Sequence, residues 1–155
     1  MRILLTHPHI DHICGLQQAC ERYHLPVTMH EDGLKTLSQA ELYGSIMNFR
    51  VNSMKDIQTE FINDGDKLGE IECRYVPGHC PGSMAFVLHE EKVVITGDAL
   101  FRGSIGRTDL PGGDMATLMA SLKKLTALPD DTVVIPGHGM FTTIGDEKRG
   151  NPFLQ

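Results

Sequence analysis

Apolar and polar positions change rhythm along this chain, and the changes mark out alternating strands and helices. Met1 to Thr6 carries the run Ile3-Leu4-Leu5 and reads as a buried strand. From His12 to about His24, Ile13, Leu16, Ala19 and Cys20 fall at near-helical spacing, and Pro26 closes the segment. Val27 to His30 is a second short strand. Glu31 to Leu42 has a charged first turn and the Leu34, Leu37 spacing of another helix. Tyr43 to Ile57 shows no clean period, which leaves open a loop beside a functional site.

From Glu60 the period shortens. Phe61 to Asp66 places an Asp-Gly turn signal in a strand-like stretch, and Ile71, Cys73 and Tyr75 alternate with Glu72 and Arg74 as on a half-buried strand. Met84 to Leu88 and Lys92 to Thr96 form a hairpin across Glu90-Glu91. Gly112-Gly113-Asp114 caps a helix whose stripe is Met115, Leu118, Met119, Leu122 and Leu125, ended by Pro129. Its methionines read as core filling. A last strand, Thr132 to Ile135, runs into Pro136-Gly137-His138-Gly139. Strands alternating with helices give an α/β (α+β) class.

Composition narrows the picture. The 155 residues, 41% of them hydrophobic, suit one domain, residues 1–155, with its own core, and no stretch is long and apolar enough to span a bilayer. A formal charge of −6 disfavours nucleic acid and anionic membrane as main partners. Cys14, Cys20, Cys73 and Cys80 make no C-x-x-C pair, and no signal-peptide pattern opens the chain, so reduced thiols and a cytoplasmic location are expected. No repeat or linker divides the sequence.

The chemistry concentrates in His7-Pro8-His9-Ile10-Asp11-His12, directly after the first strand. His7 and His9 share a face if the strand direction persists, while Asp11 and His12 come from the turn beyond. Farther on, His79 follows Pro77-Gly78, Asp98 follows Thr96-Gly97 and His138 follows Pro136-Gly137. Singly, each has a bland explanation as a turn, cap or loop residue. Together they repeat one arrangement: glycine lets the backbone turn sharply and approach closely at a strand end, aiming a ligand from the rim of a sheet into a shared cavity.

These side chains suit two divalent ions. His7, His9 and His79 would take the first, Asp11, His12 and His138 the second, and Asp98 would bridge them. Zinc is the first choice, and iron or manganese also tolerate such a mixed set. Two ions about 3.5 to 4 Å apart can share and acidify a water, making a hydroxide that attacks a polarised carbonyl. Asp11 has a second role open to it, orienting that hydroxide and then accepting its proton. Cys80 reads as a packed small residue, and His24, His30 and His89 as surface or cap positions.

Thr6 to His12 resembles the T-H-x-H-x-D-H metal motif of the metallo-β-lactamase superfamily, whose later metal positions match His79, Asp98 and His138. Pro77 to Ser83, Gly97 to Gly113, and the tail Thr142-Thr143-Ile144-Gly145 with Asn151-Pro152-Phe153 are similar to the single-domain bacterial glyoxalase II-like hydrolases. The resemblance implies an αββα sandwich with the metals at one edge. It also implies thioester hydrolysis, with S-lactoylglutathione, a glutathione-derived thioester, as the family's reference substrate.

Two departures qualify what the resemblance implies. The family places several strands before the histidine motif, whereas this chain opens five residues before Thr6. An N-terminally truncated sandwich lacking those strands is expected, with either marginal stability or self-association through the uncovered edge. A protein without the glutathione-gripping helical domain of full-length glyoxalase II is also expected, and Asp109 and Met140 stand where that family tends to have tyrosines. Arg102 and Arg107 remain candidates for binding an anionic substrate group, a structural pairing of the loop arginine with Asp109 being the alternative. Three functions follow: a metal-dependent thioester hydrolase of the hydroxyacylglutathione hydrolase type, a mono-iron persulfide dioxygenase using His7, His79 and Asp98, and an inactive truncated fragment that only binds metal. The Leu110-Pro111-Gly112-Gly113 string favours the first.

Overall fold

Two sheets stack face to face between layers of helix, and alternation along the central strands shows how. The computed structural model describes residues 1–54 and 56–155. In order, its elements are β1 (Ile3–Leu4), α1 (Ile10–Ile13), α2 (Leu16–Tyr23), β2 (Val27–Met29), a 3-10 turn (Glu31–Gly33), α3 (Leu34–Ser38), α4 (Ala40–Met47), β3 (Thr59–Phe61), β4 (Lys67–Leu68) and β5 (Ile71–Tyr75). Then come β6 (Met84–Leu88), β7 (Val93–Gly97), β8 (Leu100–Phe101), β9 (Ser104–Ile105), α5 (Met115–Thr126), β10 (Val133–Pro136), β11 (Thr142–Thr143) and α6 (Ile144–Gly150). β1, β2 and β3 form a small parallel sheet, while the larger mixed sheet runs in the order β11-β10-β7-β6-β5-β4.

Along β6, Met84 and Phe86 point into the space between the sheets, where they meet Ile62, Cys73 and Leu4. Ala85 and Val87 point the other way, onto Leu118, Leu122 and Leu125 of α5 and Ile144 of α6. A strand buried on both faces loses the apolar-polar alternation of a surface strand, which is why β6 reads as a continuous apolar run. A third cluster, including Leu5, Ile13, Leu16, Val27, Met29 and Leu37, fixes the N-terminal helices on the small sheet. The order of layers is helix, sheet, sheet, helix, the αββα arrangement expected from the resemblance. β1 and β3 are the edges of the small sheet.

Several boundaries differ from the sequence reading. The helix expected over 12–24 is two helices broken at Gly15, and it starts at Ile10, so Asp11 and His12 sit on a helical turn. The helix expected over 31–42 is a 3-10 turn followed by α3 and α4, which meet at a non-helical Gln39 (ψ 4°). Its core residue is Leu37; Leu34 is 40% exposed. α4 carries on to Met47, inside the stretch that showed no period, and Asn48 ends it at φ 57°. Position 55 of that stretch lies outside the described residues. In α5 the buried face is Leu118, Ser121, Leu122 and Leu125, and Met115 is 47% exposed rather than part of the stripe. No helix among the described residues is long and apolar enough to cross a membrane.

Candidate metal centre

The ends of three strands deliver the chemistry to one rim. β1 pairs with β2 up to Leu5, whose N–H donates to Thr28 O at 3.0 Å. Thr6 O then accepts from Met84 N at 2.7 Å, which ties this strand end to the larger sheet. His7 to His12 therefore start at the seam of the two sheets. β7 and β10 are parallel neighbours, with Pro136 opposite Gly97 and Gly137 N donating to Gly97 O at 2.8 Å, so the residues that follow, Asp98 and His138, emerge side by side. His79 comes from the loop between β5 and β6.

Two glycines let these loops close in. A Cβ on Gly137 would stand 2.2 Å from Asp98 Oδ1 and 2.8 Å from His12 Cε1, so any side chain there would occupy the cradle itself. Gly78 adopts φ +125°, and a Cβ there would lie 2.3 Å from the backbone nitrogen of Leu118, so the loop bearing His79 can press directly on α5. Ser121 Oγ strengthens this contact by donating to Pro77 O at 2.7 Å.

All seven predicted ligands converge. The rings of His7 and His9 are 4.9 Å apart between centroids, those of His9 and His79 4.6 Å, and those of His7 and His79 5.0 Å. Across the site, His138 Nε2 lies 2.9 Å from Asp11 Oδ2 and 3.1 Å from His12 Nε2. Asp98 stands between the groups: Oδ1 is 3.3 Å from His12 Nε2, while Oδ2 is 3.7 Å from His79 Nε2 and 3.5 Å from His138 Nε2. Three sets have ligand atoms within ion-sharing distance, namely His7, His9 and His79; His7, His12 and Asp98; and Asp11, His12 and His138. The first and last are the trios paired with each ion from sequence.

Buried polar atoms test whether a cation fits. His7 Nε2 and His79 Nε2 are buried and have no hydrogen-bond partner among the described residues, and Asp98 Oδ1 beside them meets only the His12 imidazole, 3.3 Å away. An unpaired buried polar atom costs about 1–3 kcal/mol, and two of them in one cluster with a carboxylate make an arrangement that a cation satisfies. Tautomers agree. His79 Nδ1 lies 2.9 Å from Arg107 O and can only donate to it, which leaves Nε2 with a bare lone pair facing the cluster.

Protonation points the same way. Burial, reinforced by the neighbouring His12, pushes the His7 imidazole down to about 2, and burial with His79 beside it takes His9 down to about 4. Both rings are neutral near pH 7, the form that coordinates a metal. For His12 burial works against the charge, but contact with Asp98 and the charges of Asp98 and Asp11 outweigh it and raise the imidazole above its ordinary value. Burial likewise disfavours the Asp98 carboxylate, and the approach of His12, His7 and His79 more than offsets this, holding it ionised.

A cleft of about 620 Å³ opens onto the cluster, bordered by His9, Asp11, His79, Asp98 and His138. That size suits a small molecule. Arg107 borders it too, but its Nε and Nη2 each donate at 2.7 Å to the Asp109 carboxylate, the pairing left open from sequence. Arg102 borders a different hollow with Phe141, Thr143 and Asp146, and it does not line the cleft. The opposite wall is made by Lys35, Thr36, Gln39, Tyr43, Met47 and Phe49. Tyr43, Met47 and Phe49 belong to the 43–57 stretch whose missing period leaves open a loop beside the site, though most of their part is helical, while sequence reasoning did not single out Lys35, Thr36 and Gln39. Cys80 is buried, its thiol pushed up to about 12 by burial, as a packed residue should be. His30 caps the 3-10 turn by accepting from Asp32 N, and it stacks on Tyr75.

Residues 1–138 match the family model described as the metallo-beta-lactamase superfamily. The hydroxyacylglutathione hydrolase GloC of Haemophilus influenzae is 41% identical over 161 residues, which cover 98% of this chain and 74% of that protein. The probable metallo-hydrolase YqgX of Bacillus subtilis is 40% identical over 160 residues, covering 99% of this chain and 75% of that protein. The crystal structure of TTHA1623 in a di-iron-bound form is similar at a TM-score of 0.94 with 42% identity, over 99% of this chain and 77% of that one.

Proposed function

The chain belongs to the metallo-β-lactamase superfamily, and from that premise we propose that it is a metal-dependent hydrolase of thioesters, of the hydroxyacylglutathione hydrolase type. The observation that carries the reading is the pair of unpartnered buried nitrogens, His7 Nε2 and His79 Nε2, inside a cluster of seven candidate metal-binding side chains beside an open cleft. The 41% identity to GloC supports the thioester as substrate, and the di-iron form of TTHA1623 supports a pair of ions.

His7, His9 and His79 would hold one ion and Asp11, His12 and His138 the other, with the Asp98 carboxylate between them. Zinc suits this imidazole-rich set, and iron suits it as well. When bound, such ions supply a Lewis acid for a carbonyl oxygen and acidify water at neutral pH. The protein's own groups do the rest. The Arg107 carbonyl locks the His79 tautomer, and Gly137 leaves Asp98 the space to sit between the two trios. Asp11 is a half-exposed acid at the cleft, beside His138, and its carboxylate would orient the attacking water and accept its proton. Attack on the acyl carbon breaks the carbon–sulfur bond and releases a carboxylic acid and a thiol.

The test is steady-state hydrolysis of S-lactoylglutathione by chain loaded with zinc or iron(II). Turnover should require metal, and Asp11→Asn should lower kcat by roughly 100-fold or more, the scale of losing a positioned base. Full activity of Asp11→Asn would contradict the role of Asp11. Oxygen uptake with glutathione persulfide and no thioester cleavage would replace the hydrolase with a dioxygenase. Stoichiometric metal with neither reaction would leave a chain that only binds ions.

A further inference from the structure

The cleft has a second chemistry besides its metal ligands. Tyr43 and Met47, four residues apart on α4, line the cavity, Thr36 of α3 borders it before the break at Gln39, and Phe49 extends the wall beyond the left-handed turn at Asn48. Tyr43, Met47 and Phe49 make the apolar part of this wall. Lys35 stands at its start and borders the cleft.

Among the described residues, Lys35 and Arg107 are the lysine and arginine that border the cavity. They are not equivalent. Arg107 is committed to Asp109 through two donors, whereas Lys35 has no carboxylate within ion-pair distance among the described residues. The acid nearest in sequence on the same wall, Asp32, accepts from the Tyr75 hydroxyl at 2.5 Å and lies 3.6 Å from His30 Nδ1. The other acids of the cleft, Asp11 and Asp98, belong to the metal cluster. An unpaired ammonium at the end of an apolar strip is the pattern that receives a ligand with an apolar body and an anionic end.

Resting on the hydrolase reading and its thioester substrate class, we infer that Lys35 is the specificity residue of the cleft: it binds the acidic group on the thiol half of the substrate. The Tyr43, Met47 and Phe49 surface covers the uncharged part of that molecule. The anchoring charge can be a carboxylate, as in a glutathione thioester, or a phosphate, as in a coenzyme A thioester.

The experiment compares metal-loaded wild type, Lys35→Ala, Lys35→Glu and Lys35→Arg on three substrates: S-lactoylglutathione, an acyl-coenzyme A, and a neutral N-acetylcysteamine thioester. Lys35 is exposed, so the variants should fold and keep their metal. For one acidic thioester KM should rise roughly fivefold in Lys35→Ala and more than about tenfold in Lys35→Glu, the scale of losing or reversing one charge-assisted contact. Its kcat should stay within about twofold, Lys35→Arg should restore KM, and the neutral thioester should not respond. Whichever acidic substrate responds names the anion. Unchanged KM for both acidic thioesters, or an equal rise for the neutral one, overturns the assignment of Lys35 and leaves the hydrolase intact. Wild type that cleaves none of the three sinks the hydrolase reading and the substrate class with it.

Discussion

A methyl group at position 137 would compete with the Asp98 carboxylate for the same space, 2.2 Å from Oδ1. Position 137 has no left-handed backbone to lose, so Gly137→Ala should fold and bury the same core while displacing Asp98 from between the two trios. Metal affinity should fall about 10- to 100-fold, the usual scale for disturbing a group that sets a metal site, while the metal-free chain melts close to the parental temperature. Isothermal titration with zinc, paired with a melting curve, checks this; parental affinity would show that Asp98 does not depend on the close approach. At this scale the sequence was most informative. His7 to His12 crowd into six positions, and His79, Asp98 and His138 each follow a glycine, so the side chains that cluster in the fold were visible from order alone. The arginines were harder to place. Whether Arg107 meets a substrate or Asp109 depends on the path of an irregular loop, and no period reports it.

Helix α5 fixes the His79 loop from below, through Leu118 against Gly78 and Ser121 against the Pro77 carbonyl. Its phase can be tested. Leu118 is fully buried and Met115 is 47% exposed, so Leu118→Ala should cost about 2–5 kcal/mol in a denaturant titration and Met115→Ala well under 1 kcal/mol. Equal effects would mean the helix packs on the stripe that starts at Met115. Pattern reading placed the elements with a strong period and missed those without one. β8, β9 and β11 have two residues each, too few to show alternation, and α6 depends on Thr143, whose Oγ1 accepts from Asp146 N, for a start signal with little apolar stripe behind it. α3 and α4 were misjudged for a different reason. One side of the pair packs on the core through Leu37 and Ala40, and another lines the cleft, so no single amphipathic stripe describes them.

At the scale of the molecule, the site exists because two sheets with different partners end at one rim. β1 belongs to the small sheet, and β7 and β10 to the large one. The Thr6 carbonyl on Met84 N is the contact that brings the first histidine cluster to the later ligands. That convergence rests on pairings between residues about 40 to 130 positions apart in the sequence, which is why order along the chain suggested a shared cavity and only the folded arrangement located it. The net charge is −6, and among the described residues bordering the cleft Lys35 is a cation with no carboxylate within ion-pair distance. The most direct measurement is a titration of metal-free chain with zinc or iron(II), following bound metal by elemental analysis and thioester cleavage in the same samples. Activity should climb with occupancy and level off at two ions per chain; saturation at one ion or fewer, or full occupancy without cleavage, would contradict the account.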